Sequence, residues 1–463
     1  MNKRIEKMAR RAVCCFVLCF GFQALAREEY TRNFDKTTPL AAGQPVRVQH
    51  RLGDVTIRTQ SKPEVIVHAV IRSSASDMAE AKRFADSIRI EVQPSGSAVL
   101  VETQYPKQEL GGFLGLRNIS YSVNLDITMP ETAPLEVKNS FGAVTIADLR
   151  ASGDITTSHG KLLFRNGRGS QKLENSFSSI EVAGNSGDMT LSNNNGTVDV
   201  SDVSGTINIK NRFAKVTVSR SGGGTIVSGN GQVRASNIAG ALRITNSFGP
   251  VNADTVKGNL TVNNQNGEVE ANAVTGSAEL NTSFGGVRFS DVSGQVSVRA
   301  QNSTVKGRNA GDLATVENSF APVELSGIRK GARVLSKNGA VTVVDIGDDL
   351  TVRTSFAAVH ADRIGGAVDV ENQNGSVDVA MNSHPGCRPV TIRSSYAGLR
   401  IHVPSDASYA VAAKTSYGQI HSDFPVLVQG ALGGDSLSGK IGNGSCVMQL
   451  NNQNGNIEIL RNH

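Results

Sequence analysis

The sequence has no tryptophan, and aromatic residues make up only 5% of its 463 residues. Large aromatic side chains usually help to fill the cores of helical and mixed domains. Their scarcity, together with 48 glycines, favours many short strands and turns. A continuous apolar run of about 18 residues is also lacking, so the sequence predicts no transmembrane span in the mature chain.

Residues 1–26 have the pattern of a secretory signal peptide. A basic segment is followed by the apolar stretch AVCCFVLCFGFQ, and Ala24 and Ala26 form the small-x-small pattern at which such leaders are cleaved. We therefore expect the mature chain to begin at Arg27. We also expect it to be exported, to the periplasm, to the outer membrane or to the outside of the cell.

The net positive charge is small once this leader is removed. The leader carries five basic residues and one acidic residue, so the formal net charge falls from +6 for the whole sequence to +2 for the mature chain. Binding to nucleic acid depends on a strongly basic surface. The sequence therefore predicts no nucleic-acid partner.

Cysteine is scarce as well, because three of the five cysteines lie in the leader and only Cys387 and Cys446 remain. Two cysteines in an exported chain suggest one disulfide. The alternative is a pair of free buried thiols, since the sequence does not show whether the two side chains approach each other.

An 18-residue repeat organises most of the chain. The position of Phe248 recurs with a period of 18, apart from one step of 17, and holds phenylalanine alternating with asparagine or, once, histidine. We call this position the slot, and a small residue always follows it. The slot residues are Phe141, His159, Phe177, Asn195, Phe213, Asn230, Phe248, Asn266, Phe284, Asn302, Phe320, Asn338, Phe356 and Asn374. The repeating unit is therefore a pair of 18-residue segments.

Aliphatic residues keep the same phase as the slot. The third residue after the slot is always aliphatic, as in Val251, and a pair with a spacing of two precedes the next slot, as in Leu260 and Val262. A spacing of two is typical of strands. One segment cannot bury its apolar face alone, but stacked segments cover one another. The sequence predicts a parallel β-solenoid (β-helix), in which fourteen rungs span roughly 65 Å.

Four regions follow from this pattern. Residues 1–26 are the signal peptide, and 27–133 form an N-terminal, strand-rich α+β cap with one short helix that a capping box at Asp77 begins. Residues 134–382 form the regular solenoid, and 383–463 form further solenoid rungs and a C-terminal cap with an insertion. We expect the helix to cover the first rung and to hide its strand edge from other chains.

A column of polar residues lies beside the turns. The residue two places before the slot is nearly always polar, as in Asn246 and Asn264. We expect these side chains to form a ladder, bonded to one another and to turn backbone groups.

The phenylalanines of the slot are expected to point inward at a corner, each over the smaller asparagine of the next rung, because side chains alternate along a strand. The alternative places them outside as an aromatic rail for sugars or a partner protein. In that case the candidate ligand-binding residues are Phe141, Phe177, Phe213, Phe248, Phe284, Phe320 and Phe356.

Several segments resemble a known family: GDVTIRT near the start, SVNLDITMPETAPLEVKNSFGAVTI, the repeated NG-x-V motifs and the closing NNQNGNIEI. The chain resembles the bacterial exported putative-adhesin family, a domain of unknown function with a β-solenoid fold, over residues from about 50 to 460. The resemblance implies a right-handed solenoid outside the cytoplasm. It brings no catalytic motif to this sequence.

Catalytic and metal-binding motifs are lacking, and the eight histidines have no metal-ligand spacing. We expect no catalytic residue, no metal and no cofactor. One acidic cluster, Asp345, Asp348 and Asp349 with Arg353 after it, could serve a carbohydrate-active β-helix enzyme, a polysaccharide lyase or hydrolase. In that case Arg329, Lys330 and Arg333 would lie one rung away. The other interpretation is a solvated turn.

The sequence therefore predicts a non-enzymatic, exported β-solenoid, an adhesin or an envelope-associated binding or structural protein. A surface glycan or an envelope protein is the expected partner. The alternatives are the carbohydrate-active enzyme and a scaffold whose copies join end to end, which requires an uncovered terminal rung.

Overall fold

A computed structural model describes residues 27–106, 119–383, 386–428 and 434–462. Within them the chain winds into rungs that are each one sequence repeat long. A rung has two strands that pair in parallel with the rungs above and below, as Leu242 pairs with Leu260. The β-solenoid prediction is confirmed. The predicted signal peptide, with Ala24 and Ala26, lies outside the described residues.

One strand of each rung leads into the slot, and together these strands form what we call the slot sheet. Its strands are Val46–Gln49, Arg89–Ser95, Ala98–Gln104, Leu135–Asn139, Gly153–Thr157, Gln171–Asn175, Met189–Asn193, Ile207–Phe213, Gly224–Asn230, Leu242–Phe248, Leu260–Asn266, Ala278–Phe284, Val296–Asn302, Ala314–Asn318, Ala332–Ser336, Leu350–Thr354, Val368–Asn372, Val390–Ser394, Tyr409–Tyr417, Leu427–Val428, Ser436–Ile441 and Cys446–Asn454.

The other strand of a regular rung begins three residues after the slot, and these strands form the valine sheet. Its strands are Glu28–Pro39, Val55–Gln60, Glu64–Ala75, Ser120–Pro130, Val144–Ala147, Leu162–Arg168, Ile180–Ser186, Val198–Val203, Val216–Ser221, Val233–Ile238, Val251–Val256, Val269–Val274, Val287–Val292, Val305–Ala310, Val323–Ile328, Val341–Ile346, Val359–Ile364, Val377–Met381, Leu399–Val403, Ile420–Ser422 and Ile457–Arg461.

The core lies between the two sheets. Leu242 and Ile244 of the slot sheet and Val251 of the valine sheet are fully or almost fully buried, while Arg243 between the first two is exposed. This alternation is what a period of two produces on a sheet with one face covered. The same positions repeat in each regular rung, so the core is one continuous column.

The polar residues two places before each slot, which we call the polar column, lie at the corner between the two sheets. Asn264 is 4% exposed, and its Nδ2 donates to the carbonyl oxygens of Gly249 (3.1 Å) and Gly267 (3.0 Å). The first carbonyl belongs to the preceding rung and the second to its own rung. Asn246 likewise donates to the carbonyls of Gly231 and Gly249. The asparagines thus bond to turn backbone as predicted, but along this column they reach carbonyls of two rungs rather than one another.

Replacing Asn264 with alanine is expected to lower the free energy of unfolding by about 1–3 kcal/mol, because turn carbonyls lose their donor. Asn264→Thr should recover part of this loss, since threonine fills the column at Thr282, whose hydroxyl donates to the carbonyl of Phe284. Urea unfolding measures both. The control is Asn208→Ala, at an exposed asparagine on the outer face of the slot sheet, and equal losses at 208 and 264 would contradict the bridging role.

The N-terminal cap does not follow the order of the sequence. Strand Val46–Gln49 lies between Ala98–Gln104 and Leu135–Asn139, so later residues are stacked outside earlier ones. Strand Glu28–Pro39 ends the valine sheet by antiparallel pairing with Glu64–Ala75.

The predicted helix of this cap is confirmed and spans Met78–Ser87. The Asp77 side chain accepts a hydrogen bond from the backbone N–H of Glu80 at 2.7 Å, which is the N-cap that the sequence predicts. Ala81 and Ala85 are its buried residues. The helix packs on the antiparallel pair Glu28–Pro39 and Glu64–Ala75, and Glu28–Pro39 is the outermost strand of the valine sheet at this end.

A buried histidine makes the cap sensitive to pH. His50 is 7% exposed, its Nδ1 lies 3.1 Å from Thr103 Oγ1, and burial lowers its pKa to about 4. The unfolded chain takes up this proton near pH 6.5, and the folded chain near pH 4. Stability is therefore expected to fall as the pH drops below about 6.5, by about 2 kcal/mol at pH 5.

Urea unfolding at pH 7 and pH 5 tests this expectation in the wild type and in His50→Gln, which cannot charge. The difference in stability between the two proteins should change by about 2 kcal/mol over this interval. The same pH dependence in both proteins would assign the effect to other groups.

The C-terminal rungs are also out of sequence order. Strand Cys446–Asn454 inserts between Val390–Ser394 and Tyr409–Tyr417 and pairs in parallel with both. A disulfide joins Cys387 to Cys446, as predicted, with an S–S distance of 2.04 Å. The bond ties the inserted strand to the segment just before Val390–Ser394, the strand with which it pairs.

Neither end of the slot sheet presents an open parallel edge within the described residues. Arg89–Ser95 closes one end and Ser436–Ile441, followed by Leu427–Val428, closes the other, each by antiparallel pairing. This arrangement does not favour parallel stacking of copies through the slot sheet. The valine sheet differs, because it ends at Ile420–Ser422, which pairs in parallel with Ile457–Arg461. Among the helices described, none is both long and apolar enough to cross a bilayer.

Candidate binding surface

The slot phenylalanines face solvent. The seven of them are 40 to 61% exposed, and Phe320 and Phe356 are the most exposed. The inward orientation that we expected is therefore wrong, and the rings lie on the outside of the solenoid.

The reason lies at the corner after the polar column. Leu242, Ile244 and Asn246 alternate inward along their strand, so continued alternation would place Phe248 inside. Instead, Asn246 Nδ2 donates to the carbonyls of Phe248 (3.2 Å) and Gly249 (3.0 Å), and the chain folds around the asparagine side chain. The asparagine fills the corner, and the slot residue is turned out.

The slot residues form one column along the solenoid. The strand register pairs Phe213 with Asn230, Asn230 with Phe248, Phe248 with Asn266, and so on to Asn302. Successive phenylalanines are therefore two rungs apart, about 9.6 Å along the axis. We call the full set of these outward residues the slot column.

Aromatic rings are in direct contact near the N-terminal end of the slot column. The His159 ring lies 4.5 Å from the rings of both Phe141 and Phe177, stacked on each with interplanar angles of 18° and 16°. Here histidine takes the place that asparagine holds in later rungs, and the aromatic surface is continuous over three rungs.

Two tyrosines extend the slot column at its C-terminal end. Tyr396 and Tyr417 are 53% and 77% exposed, and Asn454 lies between them, paired with each. The alternation of aromatic residue and asparagine thus continues through the inserted strand. The motifs YAGL and YGQI mark these slots in the sequence, but their spatial order depends on the insertion.

A groove runs along the slot sheet from Thr245 to Gln373, with a volume of about 860 Å³, and among the described residues its lining comes next to the slot column in sequence without including a slot residue. We call it the axial groove. The residue immediately before each slot lines it: serine in the phenylalanine rungs (Ser247, Ser283, Ser319 and Ser355) and glutamine or lysine in the asparagine rungs (Gln265, Gln301, Lys337 and Gln373). Apart from Lys337, the residues before the slots therefore alternate between a hydroxyl and an amide, in the same order in which the slot column alternates between a ring and an amide.

Charges in the axial groove largely neutralise one another. Arg299 lies 3.2 Å from Glu279 and 3.8 Å from Glu317, measured between nitrogen and carboxylate oxygen. Arg353 contacts Asp369 and lies 3.4 Å from Glu371. Exposed pairs of this kind add little stability, but they leave the groove without a strong field of either sign.

The carboxylates of the acidic cluster predicted from the sequence do not share a common partner. Asp345 forms a two-pronged ion pair with Arg363, and this hydrogen bonding holds the pKa of the carboxyl below its usual range. Asp349 Oδ1 accepts a hydrogen bond from the backbone N–H of Ala367 at 2.8 Å. Asp348 is exposed. The arrangement is that of solvated turns, and it does not gather the carboxylates for acid–base catalysis.

Metal binding finds no support in the described ranges, where no three or more His, Cys, Asp or Glu side chains are grouped to hold an ion.

The sequence model of a family described as Toastrack DUF4097 matches residues 225–460, just over half of the chain. None of the curated proteins matches the chain. A crystal structure of a putative cell adhesion protein from Clostridium sporogenes is similar to it, with 8% sequence identity, a TM-score of 0.17, and coverage of 94% of this chain and 100% of that chain. A TM-score this low transfers neither fold nor function.

Proposed function

The chain belongs to the Toastrack DUF4097 family, and from this premise we propose that it is a non-enzymatic, exported β-solenoid. In this proposal the slot column is an extended binding surface that serves adhesion or assembly of the cell envelope. The partner is a surface glycan or an envelope protein.

The single observation that carries this proposal is the exposure of the aromatic side chains of the slot column. Phenylalanine is among the residues most often buried in soluble proteins. A row of exposed rings at a fixed spacing of two rungs is costly in water unless something covers it, and exposed apolar surface of this kind marks interaction sites.

Export is supported by two independent features. Residues 1–26 have the pattern of a cleavable leader, and the Cys387–Cys446 disulfide is of a kind that persists in oxidising compartments. A non-enzymatic role is supported by the acidic cluster, in which Asp345 and Asp349 bond to different partners and Asp348 is exposed.

The double change Phe284→Ala and Phe320→Ala tests the proposal. Because both rings are more than half exposed, the melting temperature is expected to stay nearly unchanged, whereas attachment to surfaces or envelope integrity should be lost in a deletion strain complemented with the variant. Leu313→Ala, at a partly exposed apolar residue outside the slot column, is the control. A deletion strain with normal attachment and an intact envelope would overturn the proposal.

A further inference from the structure

The axial groove has the shape of a site for a polymer. It follows the solenoid over eight rungs from Thr245 to Gln373, roughly 34 Å, and each rung adds the same kind of side chain to its wall. A small molecule would occupy only one of several equivalent places. A long, straight chain with a regular repeat would use them all.

The lining of the axial groove selects against charged polymers. Ser283 and Gln301 represent the hydroxyl and amide groups that alternate along it, and Arg299 and Arg353 are already paired with carboxylates. Nucleic acids bind where phosphates meet unpaired basic residues. Lys337 is the one basic residue of this lining without a carboxylate partner among the described residues. The other groups that are not engaged in ion pairs are uncharged hydrogen-bond donors and acceptors, which suit a neutral polar chain.

A peptide is disfavoured by the backbone of the groove floor. Extended peptides commonly bind by adding a strand to a free sheet edge. Strand Leu260–Asn266 is paired on both sides, with Leu242–Phe248 and with Ala278–Phe284. The floor therefore offers side chains but no row of free backbone groups.

The spacing of the rings points to sugars. Phe284 and Phe320 are separated by one asparagine rung, so each two-rung unit of about 9.6 Å presents one ring and one pair of amides. An extended disaccharide unit is about as long, and it offers apolar C–H faces for the ring and hydroxyl groups for the amides. Rings that stack on the repeating units of a chain give affinity without requiring a single fixed register.

We infer that the axial groove, with the slot column as its aromatic edge, binds an extended, uncharged polysaccharide parallel to the solenoid axis. This inference rests on the proposed function and names its ligand class. Each disaccharide lies over two rungs, with one sugar face on a phenylalanine ring and hydroxyl groups on the serine and glutamine side chains.

Calorimetric titration of the mature chain with defined oligosaccharides tests the inference. The probes are β1,4-linked glucose and β1,4-linked N-acetylglucosamine oligomers of two to eight units, maltohexaose as a curved neutral chain, and oligogalacturonate as a charged chain. We expect a straight neutral oligomer to bind, with affinity rising as disaccharides are added and with little dependence on salt. Binding of the charged chain alone would overturn the inference.

Variants within one rung locate the site. Gln301→Ala in the axial groove and Phe284→Ala in the slot column should each weaken binding about tenfold, the loss expected for one stacking or hydrogen-bonding contact. Gln295→Ala is the matched control, because Gln295 is an exposed glutamine of the same rung outside the groove. If Gln295→Ala and Gln301→Ala bind the oligosaccharide with equal affinity, the axial groove is not the binding site. Melting temperatures confirm that each variant is folded.

The two proposals fail in different ways. If no neutral polysaccharide binds but Phe284→Ala with Phe320→Ala still abolishes attachment, the ligand class is wrong and the binding surface stands. If the phenylalanine variants change neither oligosaccharide binding nor attachment, both proposals are wrong.

Discussion

Alanine in place of Gly285 is expected to lower the free energy of unfolding by about 4 kcal/mol, whereas the same change at Gly286 should alter it by less than about 0.5 kcal/mol. Gly285 follows Phe284 and has φ +112°, and an added Cβ would lie 2.4 Å from the carbonyl oxygen of Gly267 in the rung before. At Gly286 the nearest atom, Thr304 O, would be 3.8 Å away. Backbone strain and the clash between stacked turns therefore act at one residue and not at its neighbour.

Urea unfolding of both variants measures this difference, and circular dichroism at low urea checks that each retains its strands. Gly286→Ala controls for the effect of losing a glycine on the conformational entropy of the unfolded chain. Unchanged stability in Gly285→Ala would mean that this turn can adopt the conformation found at Ala321, which follows Phe320 without a positive φ.

The small residue after the slot thus has a steric explanation. Stacked turns bring this position against the carbonyl of the preceding rung, as Gly267 meets Gly249 O at a Cβ distance of 2.2 Å. The recurrence of the small residue is visible in the sequence because the turns of successive rungs approach each other closely, and where glycine is absent the position holds only alanine or serine, as in Ala214 and Ser303. Its cause needs coordinates, since the clash is between successive rungs and not between neighbours in the sequence.

The solenoid itself could be predicted because its determinants are local and repeated. The period of 18 and the spacing of two between Leu242 and Ile244 specify strands, and a strand with one apolar face must stack. The helix at Met78–Ser87 was predictable for the same reason, since Asp77 and Glu80 provide a short-range cap.

The direction of the slot column could not be predicted, because alternation along a strand ceases to apply where the strand ends. Asn246 lies inside and Phe248, two residues later, lies outside, because the chain turns between them. Phe356 points outward as well, after Thr354 in place of asparagine. The position of Tyr417 in the slot column could not be predicted for another reason. Its column neighbour Asn454 comes from an inserted strand, and the insertion depends on tertiary pairing rather than on sequence spacing.

Removal of the disulfide is expected to have the other large effect, and it should be confined to the C-terminal rungs. The bond between Cys387 and Cys446 spans 59 residues, for which the chain-entropy estimate of its stabilisation is about 4 kcal/mol. Because each rung contacts mainly its neighbours, a solenoid loses stability locally. The inserted strand Cys446–Asn454 and the strands on either side of it are therefore expected to open first.

Hydrogen exchange of Cys387→Ala with Cys446→Ala measures where this loss occurs. Amides of Val390–Ser394, Tyr409–Tyr417 and Cys446–Asn454 should exchange faster than in the wild type, while those of Leu242–Phe248 keep their rates. A reductant should produce the same pattern in the wild type and have no effect on the double variant, which separates loss of the bond from loss of the thiols. Faster exchange along the whole array would mean that the rungs unfold as one cooperative unit, and unchanged exchange would mean that parallel pairing alone holds the inserted strand.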